Sequence, residues 1–107
     1  MSDTMLNVSY GDVKSLKNVL NTYHSLCELA GRGNANAIAI KVDIENMLME
    51  GATPLTEQKT YILKLYYIEG YTQLEIAKRL NITQEAVSYA MSTAIKTLST
   101  YWRSQGE

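Results

Sequence analysis

The sequence predicts an all-α fold of about five helices, with a helix-turn-helix at its C-terminal end. Apolar residues recur at spacings of three and four along most of the chain, which is the period of packed helices. Residues that cap or end helices separate these segments, and no segment reads as a strand. With 107 residues, 46% of them hydrophobic and 20% charged, the chain has the size and composition of about one globular domain.

The N-terminal segment, residues 1–54, is predicted to hold two helices. The first extends from about Asp12, a capping residue, to Ala30. Its apolar stripe consists of Val13, Leu16, Leu20, Tyr23, Cys27 and Ala30. Residues 31–34, Gly-Arg-Gly-Asn, interrupt it. The second extends from about Ala35 to Glu50, is apolar on more than one side, and is followed by Gly51, which favours a left-handed stop.

The C-terminal segment, residues 55–107, is predicted to hold three helices. The third runs from about Glu57, after the cap Thr56, to Glu69. Its predicted buried residues are Ile62, Leu63, Leu65 and Tyr66. The fourth, about 73–80, begins with the capping-box pair Thr72 and Glu75. Its predicted inward residues are Leu74, Ile76, Ala77 and Leu80. The fifth follows the cap Thr83 and carries the core stripe Val87, Met91, Ala94, Leu98 and Tyr101.

The fourth and fifth helices are joined by a turn of about three residues, 81–83. Asn81 tolerates a left-handed backbone better than most residues other than glycine, and Ile82 plugs the core beside it. A short helix, a tight turn and a longer helix make a helix-turn-helix. The outward side chains at the start of the longer helix could then reach base edges in a DNA major groove. They are Gln84, Glu85, Ser88, Tyr89 and Ser92.

The stretch LTEQKTYILKLYYIEGYTQLEIAKRLNITQEAVSYAMSTAIKTL resembles region 4 of bacterial sigma factors and the sigma-like small regulators of phages and mobile elements. The matching pattern joins an acid-Gly-x-Thr turn, E-I-A-x-x-L, a short turn, and a trailing A-I-K-x-L. The resemblance implies sequence-specific binding of double-stranded DNA for transcription regulation, with RNA polymerase as a further candidate partner. It puts Gln84, Glu85, Ala86, Ser88 and Tyr89 at base-reading positions. It puts Lys64, Thr72 and Thr83 near phosphates.

The charge balance keeps two alternatives open. The net charge is −1, with four basic and six acidic residues in 1–55 and six basic and five acidic in 56–107. The recognition helix lacks the arginines usual in the family, and Asn81 stands where glycine is usual. The near-neutral charge and the arginine-poor recognition helix favour a protein-interaction module that binds RNA polymerase without DNA. A small terminase-type DNA-packaging subunit is the other alternative, although its helix-turn-helix normally precedes the oligomerising helices.

The apolar N-terminal helices predict a homodimer, because one small chain has difficulty covering both of them. The alternative is that they fold back and complete a monomeric core. No catalytic constellation is present, so an enzyme is not expected, and no cofactor is predicted. His24 and Cys27 could supply two metal ligands, but a closed zinc site needs four. A single cysteine, no apolar run of membrane length and no signal peptide predict a cytoplasmic protein without a membrane partner.

Overall fold

The computed structural model describes residues 10–49 and 51–105, and within them it contains helices and turns but no strand. The helices are α1 (Val13–Asn21), α2 (Tyr23–Gly31), α3 (Ala35–Met47), α4 (Glu57–Leu63), α5 (Gln73–Leu80) and α6 (Gln84–Ser104). A π-helical segment, Lys64–Ile68, continues α4. The predicted all-α class is confirmed, with six helices in the described part of the chain where the sequence predicted about five.

Side-chain caps begin three of the helices where the sequence places them. The side chains of Asp12, Thr56 and Thr83 each accept a hydrogen bond from the backbone amide three residues later, at 3.0, 3.2 and 3.0 Å. Each bond satisfies an amide that the first turn of a helix leaves without a partner. The bond from the Ser15 amide also holds the pKa of the Asp12 carboxyl below its usual value. These predicted caps are confirmed.

The predicted first helix is wrong in one respect, because it is broken at Thr22 into α1 and α2. There the Thr22 amide and hydroxyl both donate to the carbonyl of Val19, at 3.0 and 2.6 Å. The break turns α2 so that it packs against α3, with Leu26 buried and Cys27 only half-buried. No glycine or proline lies at the break. We therefore attribute it to the packing of α2 against α3 and not to the local sequence.

The second predicted helix ends earlier than expected. α3 stops at Met47, because Leu48 leaves the helical conformation and buries its side chain in the core. The predicted end, Glu50, lies outside the described residues. Gly51 does adopt a left-handed backbone, with φ +82°, but within the connector that follows.

The end of the third predicted helix widens into the π-helical segment. The Glu69 amide donates to the Lys64 carbonyl at 3.1 Å, five residues back, which is the π-helical pattern. A π turn contains more residues than an α turn, so it changes which tyrosine faces the core. Tyr67 is buried, and Tyr66, which was predicted to be buried, is half-buried. Burial raises the pKa of Tyr67 to about 12.

One hydrophobic core contains residues from both ends of the described chain. Leu16 and Leu20 of α1 belong to the same buried cluster as Ile62 of α4 and Leu98 of α6. The guanidinium of Arg103, near the end of α6, also donates to the Gly11 carbonyl at 2.7 Å. α1 is therefore held beside α6. None of the helices in the described ranges is long and apolar enough to cross a membrane.

Candidate nucleic-acid interface

The first helix of the helix-turn-helix, α5, begins with the predicted capping box. The Thr72 hydroxyl accepts from the Glu75 amide at 3.1 Å, and the Glu75 carboxylate accepts from the Thr72 amide at 2.8 Å. The bond from the Thr72 amide is the main reason that the pKa of Glu75 lies below its ordinary value. The reciprocal bonds hold the start of α5 in one geometry, so that Thr72 and Gln73 lie at a defined place on the surface.

The turn between α5 and α6 has the left-handed residue that the sequence predicts. Asn81 has φ 58° and ψ 46°, and it is the one residue other than glycine with positive φ in the described ranges. The Asn81 amide donates to the Lys78 carbonyl, and the Ile82 amide donates to the Ala77 carbonyl at 3.0 Å. This is the Schellman arrangement that ends a helix abruptly. The abrupt end allows the chain to start α6 after only a short turn.

The second helix, α6, separates a buried stripe from an exposed face at its N-terminal end. Of the predicted core residues, Val87, Met91, Ala94 and Leu98 are buried, whereas Tyr101 is half-buried. The five positions predicted to read bases, Gln84, Glu85, Ala86, Ser88 and Tyr89, are all exposed. Among the large hydrophobic residues that the structure describes, Tyr89 is the most exposed, at 72%. The structure thus brings these five side chains together on one solvent-facing end of a helix, and DNA contact by them stays a prediction.

The three positions predicted to lie near phosphates are also at the surface. Lys64 begins the π-helical segment, Thr72 caps α5 and Thr83 caps α6, and all three are exposed. The prediction for Leu74 is wrong, because its side chain is 50% exposed rather than turned inward. α5 is short, and Ile76 and Ala77 supply its buried side, so a residue in its first turn need not be covered.

A tyrosine pair holds the cation of Arg79, a residue in the last turn of α5. The Arg79 guanidinium donates to the Tyr71 hydroxyl at 3.0 Å and lies 4.7 Å from the centre of the Tyr71 ring. It also reaches the Tyr61 hydroxyl at 3.5 Å, and this bond is the main reason that the pKa of Arg79 is raised. Arg79 keeps its charge in any case, but the contacts restrict where that charge lies.

Helix α1 adds residues to this surface that sequence reasoning does not single out. Lys17 and Asn21 line one side of a cavity of about 200 Å3, and Gln73, Ser88 and Ser92 are among the residues that line the rest. Lys17 and Asn21 are polar positions on the outer side of an amphipathic helix. Their proximity to α5 and α6 depends on how α1 docks, so no local pattern in the sequence could have indicated it.

The C-terminal segment matches a known protein family. Residues 54–100 match the family model described as sigma-70, region 4. No curated protein and no solved structure matches the chain. The match confirms the resemblance found in the sequence, and it covers α4, the π-helical segment, α5 and most of α6. Sigma region 4 is a DNA-binding helix-turn-helix and not an enzymatic family.

Proposed function

We propose that this protein, whose residues 54–100 are a sigma region 4-like DNA-binding helix-turn-helix, recognises a specific double-stranded DNA sequence and regulates transcription. We further propose that it is encoded by a phage or mobile element. The observation that carries the proposal is the exposed set at the start of α6, which is presented by a capped α5 and a left-handed turn at Asn81. Because α5 and the turn hold α6 in one orientation, α6 could enter the major groove in that orientation.

The chemistry of the exposed set suits base recognition. Gln84 can form paired hydrogen bonds with adenine, and Glu85 can accept a hydrogen bond from the amino group of cytosine. The methyl group of Ala86 suits contact with the thymine methyl, while Ser88 and Tyr89 offer hydroxyl groups. Lys64, Thr72 and Thr83 are proposed to bind phosphates, which would fix the register of α6 on the duplex.

The test begins by selecting a binding site from a random-sequence DNA library. Gln84→Ala, Ser88→Ala and Tyr89→Ala should each weaken binding to that site by about 1–3 kcal/mol where the side chain reads a base. Ser104→Ala, which alters an exposed serine at the other end of α6, is the matched control and should leave affinity unchanged. A triple variant that binds the selected site like the wild type would show that the assignment of the recognition surface is wrong.

A second candidate function is a protein-interaction module that binds RNA polymerase and not DNA. The observation in its favour is charge, since the first half of α6, residues 84–92, holds Glu85 and no lysine or arginine. Most non-specific DNA affinity comes from phosphate contacts, so a recognition helix without cations adds little to binding. A gel shift at low salt and a pull-down with purified RNA polymerase separate the two functions. Polymerase binding without any DNA shift would support the second.

We also propose that the protein acts as a homodimer, joined through the exposed face of α3. Ile38 and Val42, one helical turn apart, are 43% and 44% exposed, and Met49, which follows the helix, is 58% exposed. A second copy would cover these side chains and double the number of DNA contacts. Light scattering should give twice the mass of one chain, and Val42→Glu should reduce it to the mass of one. A monomer mass for the wild type at every micromolar concentration would reject the dimer.

A further inference from the structure

Helix α1 has an outer face of cationic and amide side chains. Leu16 and Leu20 are buried, and the residues on the other side are exposed. These exposed residues are Lys14, Lys17, Asn18 and Asn21. The helix contains no acidic residue. The N-terminal half of the chain is acidic overall, so this helix differs from its surroundings in charge.

The outer face of α1 lies next to the helix-turn-helix. Lys17 and Asn21 share the cavity of about 200 Å3 with Ser88, which is proposed to read a base. Asn21 also lines a second cavity, of about 330 Å3, together with His24 and Thr72. Thr72 is proposed to lie near a phosphate. α1 thus flanks both a proposed base contact and a proposed backbone contact.

We propose that α1 forms part of the DNA interface, with Lys17 binding a backbone phosphate and Asn21 donating a hydrogen bond to the same strand. This inference rests on the proposed DNA-binding function and adds contacts from outside the sigma region 4-like segment. A strand that passes from Thr72 to Ser88 runs along α1, because the two cavities meet at Asn21.

The lack of positive charge on the recognition helix explains why the proposed interface needs α1. Residues 84–92 of the recognition helix carry one acidic and no basic side chain, so they cannot neutralise the phosphates that flank the major groove. Lys17 supplies a cation at the edge of that helix. The backbone of α1 at Lys17 is held in place by the buried Leu16 and Leu20, and by the 2.7 Å bond between Arg103 and the Gly11 carbonyl. A lysine on a docked helix loses less backbone freedom on binding than one on a mobile arm.

The salt dependence of DNA binding tests the inference, because a phosphate contact releases counterions and a base contact does not. Binding of the full chain is measured to its selected duplex and to a scrambled duplex of equal length over a series of salt concentrations. Lys17→Ala should weaken binding to both duplexes by a similar factor and reduce the slope of log K against log salt by about one. Lys17→Arg should keep the slope, and Asn21→Ala should weaken binding with the slope unchanged.

Arg32→Ala is the matched control, because it removes one exposed positive charge from a residue that lines neither cavity. It should leave the slope close to that of the wild type. If Lys17→Ala keeps the wild-type slope while Ser88→Ala weakens specific binding, the role of α1 is overturned and the proposed function stands. Tighter binding by Lys17→Ala would mean that α1 obstructs the groove, which also overturns it. A wild type that binds neither duplex overturns both proposals.

Discussion

Helices α3 and α6 both bury one side, but they expose different surfaces. α6 buries Val87, Met91 and Leu98 and presents mainly polar side chains at its N-terminal end. α3 buries Ile40, Ile44 and Met47 and leaves Ile38 and Val42 more than two-fifths exposed. Polar side chains with hydrogen-bonding groups suit a nucleic acid, whereas exposed aliphatic side chains suit another protein surface. One small core thus supports two outer faces that suit different kinds of partner.

The N-terminal helices and the C-terminal segment nevertheless share one core, and the largest predicted effect tests whether these two regions unfold together. Leu16 is fully buried in α1, so Leu16→Ala should lower the free energy of unfolding by about 2–5 kcal/mol. Helical circular dichroism and the fluorescence of Trp102, the single tryptophan, should report the same transition. Val13→Ala, on the same helix but at a position 38% exposed, should change stability by less than about 0.5 kcal/mol. A Trp102 transition that Leu16→Ala leaves unmoved would mean that the two regions fold separately.

The next effect is confined to the helix-turn-helix. Asn81 has φ 58°, where a β-branched side chain clashes with the backbone. Asn81→Val should therefore destabilise the protein by about 1–2 kcal/mol. Asn81→Gly should be neutral or slightly stabilising, because glycine adopts this conformation without steric cost. Thermal melts of both variants decide the matter, and equal melting temperatures would contradict a left-handed turn.

A smaller effect compares two helix starts. Thr72 caps α5 with its side chain, whereas Thr22 precedes α2 without a side-chain capping bond. Thr72→Ala should cost about 1 kcal/mol of stability. Thr22→Ala should cost less, since it removes only an exposed bond to the Val19 carbonyl. Denaturant titrations of the two variants provide the comparison. If Thr22→Ala lost more stability than Thr72→Ala, the side chain of Thr22 would stabilise the break between α1 and α2 more than the side chain of Thr72 stabilises α5.

The smallest effect is a pH dependence at the capping box. The bond from the Thr72 amide lowers the pKa of Glu75 from its ordinary value of 4.5. A carboxyl with a lowered folded-state pKa adds stability above its unfolded pKa, and that stability is lost as the pH falls through the folded value. Glu75→Gln should therefore lose less stability than the wild type on acidification below about 4.5. If the melting temperatures of the wild type and Glu75→Gln fell equally on acidification, Glu75 would not contribute in this way.

Short-range features of the helix-turn-helix could be predicted because each depends on neighbours in sequence. A threonine three residues before a glutamate, at the start of an apolar helical pattern, is the sequence signature of a capping box. An asparagine after a short helix can supply the left-handed turn. The exposed positions on α6 follow from the same reasoning, since the buried stripe through Val87 and Met91 leaves the rest of the first turns outward.

Local sequence was enough to predict the helical class, the caps Thr56, Thr72 and Thr83, the turn at Asn81 and the buried stripe of α6 from Val87 to Leu98. Long-range packing instead set the break at Thr22, the π-helical segment at Lys64–Ile68, the exposure of Leu74 and the position of Lys17 beside Ser88. The two groups of features differ in how far apart along the chain the interacting residues lie. Caps and turns satisfy backbone groups within a few residues, whereas a break or a docked helix is stabilised by side chains that meet only after the whole core has packed.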